Sequence, residues 1–324
     1  HVFPDNHAHP SPPHRRNHEG IPADEIERHR RSTMDTVVAN LSPDKAFEGR
    51  YTNRDGTEIE AGKYRPAPGE VYSLSADRLL RLQTTYERGN AVHADTPASV
   101  IEARRRNQVA VLPALEGGDA LEGDIAKLEE MYDNGLRLIQ PIHVRNNEIG
   151  HTQTWPYSPG GLTDFGREVV REANRLGLII DMAHANEETV ADILALSRHP
   201  VIFSHGGVRA LTDHDRAVTD GQIRAIAENG GIVGIWPHGR HIADIAEMVD
   251  YIEHVIRVGG IDHVGIGSDL RGVSTYVEGF YDANFHAIAA ELLRRGYSDE
   301  AVGKVMGENF FRVWKAVSGG LPGA

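Results

Sequence analysis

The stretch Leu178–His205, LIIDMAHANEETVADILALSRHPVIFSH, carries the reading of the fold. Two short runs rich in Val and Ile, Leu178–His184 and Val201–His205, flank a helical pattern at Glu188–Ser197. Strand, helix and strand in this spacing make one βα repeat, and each strand ends in histidine. The same unit recurs outward. Strand patterns stand at Val109–Leu115, Leu136–His143, Ile232–Trp236 and Val264–Ser268, and helical periodicity fills Leu162–Leu176, Asp220–Glu228, Ile242–Val258 and Ala283–Arg295. With a further strand at Val2–Asp5, seven of eight barrel strands are placed, and Glu70–Leu74 is taken as the eighth. Leu41–Gly69 reads as a long polar loop with a small hairpin around Asn53-Arg54-Asp55-Gly56, so 41–74 is expected to be a loop insertion. The expected fold is an α/β, TIM-like (β/α)8 barrel forming a single domain over 1–324. An open doubly wound sheet is the alternative; it often carries a Gly-rich phosphate fingerprint, which this chain lacks.

Composition limits the function classes. At 324 residues, 40% hydrophobic and 25% charged, the chain has the makeup of an ordinary globular protein with a sizeable core. A formal net charge of −13 and no basic footprint argue against a nucleic-acid partner. No apolar run approaches the roughly 20 residues of a membrane span, so a soluble protein is expected, in a compartment that is left open. There is no cysteine, so any transition metal must be held by nitrogen and oxygen.

Chemistry enters with the residues that end the strands: His7 and His9, then Glu116, His143, His184, His205 and Asp269. In a barrel the catalytic groups come from the carboxyl ends of several strands. In Asp5-Asn-His7-Ala-His9 the period of two points both imidazoles to one face, a spacing that suits chelation; the bland reading is a polar N-terminal segment. Glu116 follows an apolar strand and precedes two glycines, where its two oxygens can bridge two ions; otherwise it is a helix cap or a surface acid. His184 and His205 on adjacent strands read as ligands of one ion rather than as two satisfied core histidines. His143 faces the ions or the substrate, or else makes a structural hydrogen bond.

The blocks Glu116-Gly-Gly, Gly161-Leu-Thr-Asp-Phe-Gly166, Ile180-Asp-Met-Ala-His184, Pro200-Val-Ile-Phe-Ser-His205, Gly265-Ile-Gly-Ser-Asp269 and Gly307-Glu-Asn-Phe-Phe-Arg312 appear in an order that resembles the membrane (renal) dipeptidase family. The resemblance covers the chain from Thr96 to Val317. It implies a TIM-like barrel and two zinc ions bridged by Glu116, with His184 and His205 on one and the N-terminal pair on the other. It further implies that His143 and Asp269 face the substrate and that Arg216 holds the substrate's terminal carboxylate, with homodimerisation as a further suggestion. On residue type alone, Arg216 reads as a loop residue paired with Asp213 or Asp215. Two departures stand out. The family motif Asp-x-His-x-Asp is replaced by Asp5-Asn-His7-Ala-His9, which makes the site one charge more positive. The family's second strand, containing Gly and aromatic residues, has no counterpart in Leu41–Leu74.

The expected function is hydrolysis of the amide bond of a dipeptide, or of a similar small amide, by a hydroxide bridging two divalent ions, most simply Zn2+. The ions would sit about 3.5 to 4 Å apart, Asp269 would move the proton, and His143 would donate to the oxyanion. Asp269 otherwise caps the following segment. A hydrolase of a non-peptidic amide, lactone or ester at the same site is the alternative, and a non-catalytic metal-containing ligand-binding protein comes from another class. A carboxylated-lysine centre is disfavoured, since no Lys ends an expected strand.

Overall fold

The computed structural model describes residues 20–30, 36–42, 66–154, 158–280 and 284–319, together with the backbone of 4–8, 31, 51–52 and 58–59. Its strands are β1 (Pro4–Ala8), β2 (Thr36–Leu41), β3 (Tyr51–Thr52), β4 (Glu58–Ile59), β5 (Ala91–His93), β6 (Val109–Glu116), β7 (Leu138–Gln140), β8 (Ile179–Ile180), β9 (Ile202–Val208), β10 (Ala217–Val218), β11 (Ile232–Ile235) and β12 (Val264–Ile266). One parallel run has the order β1-β2-β6-β7-β8, and a second has the order β10-β9-β11-β12. A parallel bridge between Asp181 and Ile202 carries the first run into the second. The main strands therefore follow one another as β1-β2-β6-β7-β8-β9-β11-β12, and β12 lies against β1. Each paired neighbour is parallel, and helices occupy most of the crossovers, which is the (β/α)8 arrangement. β5 pairs with the first half of β6, and β10 pairs in parallel with the last two residues of β9.

Strand alternation separates two layers of core. Val38, Leu112, Leu138, Ile179, Ile202 and Ile232 form one buried cluster, which lines the barrel interior. Their neighbours Val37, Val111, Ile139, Ile180, Phe203 and Val233 join the other cluster, which packs outward on the helices. Phe310, Val313, Trp314 and Val317, from the helix Asn309–Ser318, belong to the interior cluster. Since Leu138, Ile179, Ile202 and Ile232 each open their strands, that helix covers the N-terminal floor of the barrel and leaves the opposite mouth for chemistry. Gly234 is required where β11 passes β9, because a Cβ there would stand 1.8 Å from the Ser204 carbonyl oxygen.

The helices expected around the barrel are found at Asp164–Leu176, Glu187–Leu196, Asp220–Glu228, Ile245–Gly259 and Phe285–Arg294. Their starts are set by side-chain caps, such as Asn186 accepting from Thr189 N at 2.8 Å and Thr219 with Gln222 in a reciprocal capping box. The expected small hairpin is also present, since β3 and β4 pair antiparallel across 53–57, although the turn lies outside the described residues.

One strand assignment is corrected. Glu70–Leu74 is not a strand but the start of an 18-residue helix, Glu70–Glu87, which buries Val71, Ser75, Leu79 and Leu82 at helical spacing. The second strand of the barrel is Thr36–Leu41, fully buried and paired along its whole length with β6. The expected insertion over 41–74 is cut back accordingly, with Leu41 in β2 and 70–74 in the helix.

Candidate active site

Glu116 is positioned by phase. It follows Leu112 and Ala114 on the interior face of β6, so alternation places its carboxylate inside the mouth of the barrel, where it is 1% exposed. His205 arrives there by a different route. Strict alternation would set it on the outward face with Phe203, but the pairing of β9 with β11 slips by one residue between Phe203 and Gly206. That extra residue is a β-bulge, and it turns the histidine toward Glu116. Ser204, inside the same bulge, is held by its N–H, which donates to Asp181 Oδ1 at 2.9 Å, and its hydroxyl lies 2.8 Å from His205 Nδ1. His184 lies four residues beyond β8 with φ of 72°, and Asp269 three beyond β12 with φ of 47°. A left-handed backbone is uncommon for residues with a Cβ, and here it marks two of the candidate site positions.

The groups converge. Glu116 Oε1 lies 3.4 Å from His143 Nε2 and 3.6 Å from His184 Nε2, and the Nε2 atoms of His184 and His205 are 3.2 Å apart. Glu116, His184 and His205 are buried and offer ligand atoms within 4.8 Å of one another. One carboxylate and two imidazoles, converging from three strands, form a donor set that fits a divalent ion of the zinc type. The other carboxylate oxygen, Oε2, accepts from the Ser42 hydroxyl at 2.5 Å, and Gln140 Nε2 stands 3.4 Å from Oε1.

Arg216 reaches inward rather than pairing with Asp213 or Asp215. Its Nη1 donates to Gln153 Oε1 at 2.7 Å, its Nη2 lies 2.7 Å from His205 Nε2, and its guanidinium carbon is 5.3 Å from the centre of the Trp236 ring. Burial lowers its pKa to about 10 against the opposing pull of Asp269, Glu116 and Asp181, so the cation persists at neutral pH. Gln153 also donates from its backbone N to the His184 carbonyl at 2.7 Å, tying the Arg216 and His184 loops together. A cavity of about 670 Å3, lined by Gln153, Ala185, Asn186, Arg209, Asp215 and Gln222, opens beside this tie. The Asp269 loop is braced by Gly272 N donating to the Asp269 carbonyl at 2.8 Å, and by Tyr276, whose hydroxyl accepts from Arg271 N at 2.6 Å.

The structure thus brings together Glu116, His143, His184, His205 and Arg216, with the Asp269 carboxylate within electrostatic reach of Arg216. His7 lies on β1, where the pairing with β2 slips by one residue between Asp5 and Ala8. The strict alternation used to pair it with His9 therefore does not run through this segment; the His7 side chain and all of His9 lie outside the described residues. Sequence reading missed Ser42, Gln140, Gln153 and Trp236. The signal for Ser42 and Gln140 is positional, because Ser42 immediately follows β2 and Gln140 is the register partner of Glu116 at the end of β7.

The family model for membrane dipeptidase, peptidase family M19, matches residues 76–319. The chain belongs to that family. Solved structures agree with the fold. An amidohydrolase from Pseudomonas aeruginosa superposes with a TM-score of 0.81 at 22% identity, over 98% of this chain and 97% of its own. Dipeptidase AC, a metallopeptidase of family M19, gives 0.82 at 23% identity, over 98% of both chains. A metallopeptidase from Rhodobacter sphaeroides, liganded with a phosphinate mimic of the dipeptide L-Ala-D-Ala, gives 0.80 at 24% identity, over 98% of this chain and 99% of its own. As an M19 protein, the chain is a metal-dependent hydrolase of the dipeptidase type, and its candidate divalent-ion site is the Glu116, His184 and His205 cluster. Among the described residues no helix is long and apolar enough to cross a membrane.

Proposed function

We propose that the protein hydrolyses dipeptides at a centre of two zinc ions, which Glu116 would hold in common, His184 and His205 would hold on one side, and His7 and His9 on the other. The observation that carries this reading is the convergence of Glu116, His184 and His205, all buried, at the mouth of a barrel. Divalent ions held there would polarise a scissile carbonyl and acidify water. The remaining steps belong to the chain's own side chains. Arg216 takes the substrate's terminal carboxylate and fixes the register of the scissile bond, and its buried position strengthens that ion pair. His143 Nε2 points at the same carboxylate oxygen as His184, which sets it to donate toward an oxyanion forming over Glu116. Asp269 accepts the proton of the attacking water and returns it to the leaving amine.

His9 in place of the family carboxylate favours a second reading, in which the same centre acts on a non-peptidic amide, lactone or ester. Metal analysis joined to a screen of L,L and L,D dipeptides, lactones and β-lactams separates the two. Two ions per chain and dipeptide turnover abolished by a chelator are expected. One ion or none refutes the two-metal centre, and turnover confined to lactones refutes the dipeptidase reading.

A further inference from the structure

Beyond β11 the chain reads Trp236-Pro-His238-Gly-Arg240-His241, and its three rings join that of His214 in one continuous wall. Ring centroids are 4.6 Å apart for Trp236 and His238, 4.8 Å for His238 and His241, and 3.9 Å for His241 and His214. The wall begins at the candidate centre. Trp236 stands 5.9 Å from the His205 ring and carries the Arg216 guanidinium over its face. It is also strapped in place, because Gly239 N donates to the Thr275 carbonyl, Val277 N donates to the Pro237 carbonyl, and the same segment carries Tyr276 of the Asp269 loop.

Three of the rings present an N–H edge. Arg216 N donates to His214 Nδ1 at 3.1 Å, and Arg240 N donates to His238 Nδ1 at 3.2 Å. A neutral imidazole that accepts at Nδ1 carries its hydrogen on Nε2. Burial, followed by the nearby His241 and Arg240 and against the pull of Asp269, lowers His238 to about 4, so it is neutral at physiological pH. The indole Nε1 of Trp236 is buried and has no hydrogen-bond partner among the described residues, and the ring as a whole is 5% exposed. A buried donor such as the Trp236 indole calls for an acceptor. Flat faces for methylenes, N–H edges and the nearby charge of Arg240 together suit a short carboxylate-bearing side chain, with Arg216 left to the α-carboxylate.

We propose that Trp236, His214, His238 and His241 form a specificity surface for dipeptides whose C-terminal residue has an acidic side chain. This rests on the dipeptidase reading, with the α-carboxylate on Arg216. The test measures kcat and KM for Ala-Glu, Ala-Gln and Ala-Leu with the metal-loaded full chain, its Trp236→Phe variant, which keeps the ring and removes the N–H, and its His238→Phe variant. Wild type should prefer Ala-Glu to Ala-Leu by about tenfold or more in kcat/KM, with Ala-Gln between them. Each variant should cut that ratio by about tenfold, mainly through KM for Ala-Glu. Equal use of the three peptides by wild type, or an unchanged ratio in both variants, overturns the inference and leaves the dipeptidase reading intact. No turnover of any peptide overturns both. A third ion per chain that is lost in His241→Phe would assign the rings to a metal and also overturn it.

Discussion

Replacing Ser42 by alanine tests how the candidate centre is held together. The Ser42 hydroxyl donates to Glu116 Oε2 at 2.5 Å, while the other oxygen faces His143, His184 and Gln140. Both residues are 1% exposed, so no bulk water stands ready to take over the bond. A hydrogen bond to a buried carboxylate is worth roughly 1.5–3 kcal/mol. At about 1.4 kcal/mol per tenfold, its loss predicts a 10- to 150-fold weakening of metal binding, in the range expected when a group that orients a ligand is removed. Competition against a chromogenic chelator, with zinc as the probe, measures this directly. Ser42→Thr retains a hydroxyl and should restore much of the affinity, which separates the hydrogen bond from a general loosening of β2. Wild-type affinity in Ser42→Ala would refute the reasoning, because Glu116 would then be positioned by something other than this bond.

Asp269→Asn should retain wild-type metal content and lose about 10²- to 10⁴-fold in kcat, the span expected for a general acid/base; undiminished turnover removes Asp269 from the proton path. A pH prediction comes from His29, on the helix Ala23–Arg31, which is 1% exposed and lowered to about 4 by burial, against the hydrogen bond from its Nδ1 to the Glu25 carbonyl and helped by Arg28 and Arg271. Because its folded pKa lies below the unfolded 6.5, the unfolded chain takes up the proton first, and stability falls as pH drops from about 6.5 to about 4. The gap corresponds to about 3 kcal/mol. Urea unfolding at both ends of that window, with chelator present throughout, should show His29→Gln losing about 3 kcal/mol less than wild type; equal losses would sink the assignment.

Glu116, His184 and His205 were legible in the sequence because apolar runs announce strands and each residue lies at or near the end of such a run. The geometry that aims them was less legible. The bulge that turns His205 inward is a property of the pairing between β9 and β11, which one strand's own sequence does not encode. Thr36–Leu41 escaped notice because its six buried residues end in Asn40 and Leu41 beside a polar stretch, and burial on both faces removes the alternation that marks a strand. Glu70–Leu74 misled for the opposite reason: five residues with Val71, Tyr72 and Leu74 fit either period, and only Leu79 and Leu82 reveal the helix. Missing β2 also hid Ser42, the next residue along.

The helix Asn309–Ser318 lays Phe310, Val313 and Trp314 into one cluster with Ile179 and Ile232, the first residues of β8 and β11. The floor of the barrel therefore cannot close until synthesis has passed Ser318, and these most non-local contacts form after the strands they cover. A stop codon ahead of Asn309 would spare each described candidate ligand and still leave the hydrophobic plug undelivered. In this protein the competence of one end of the barrel is decided by late arrival at the other.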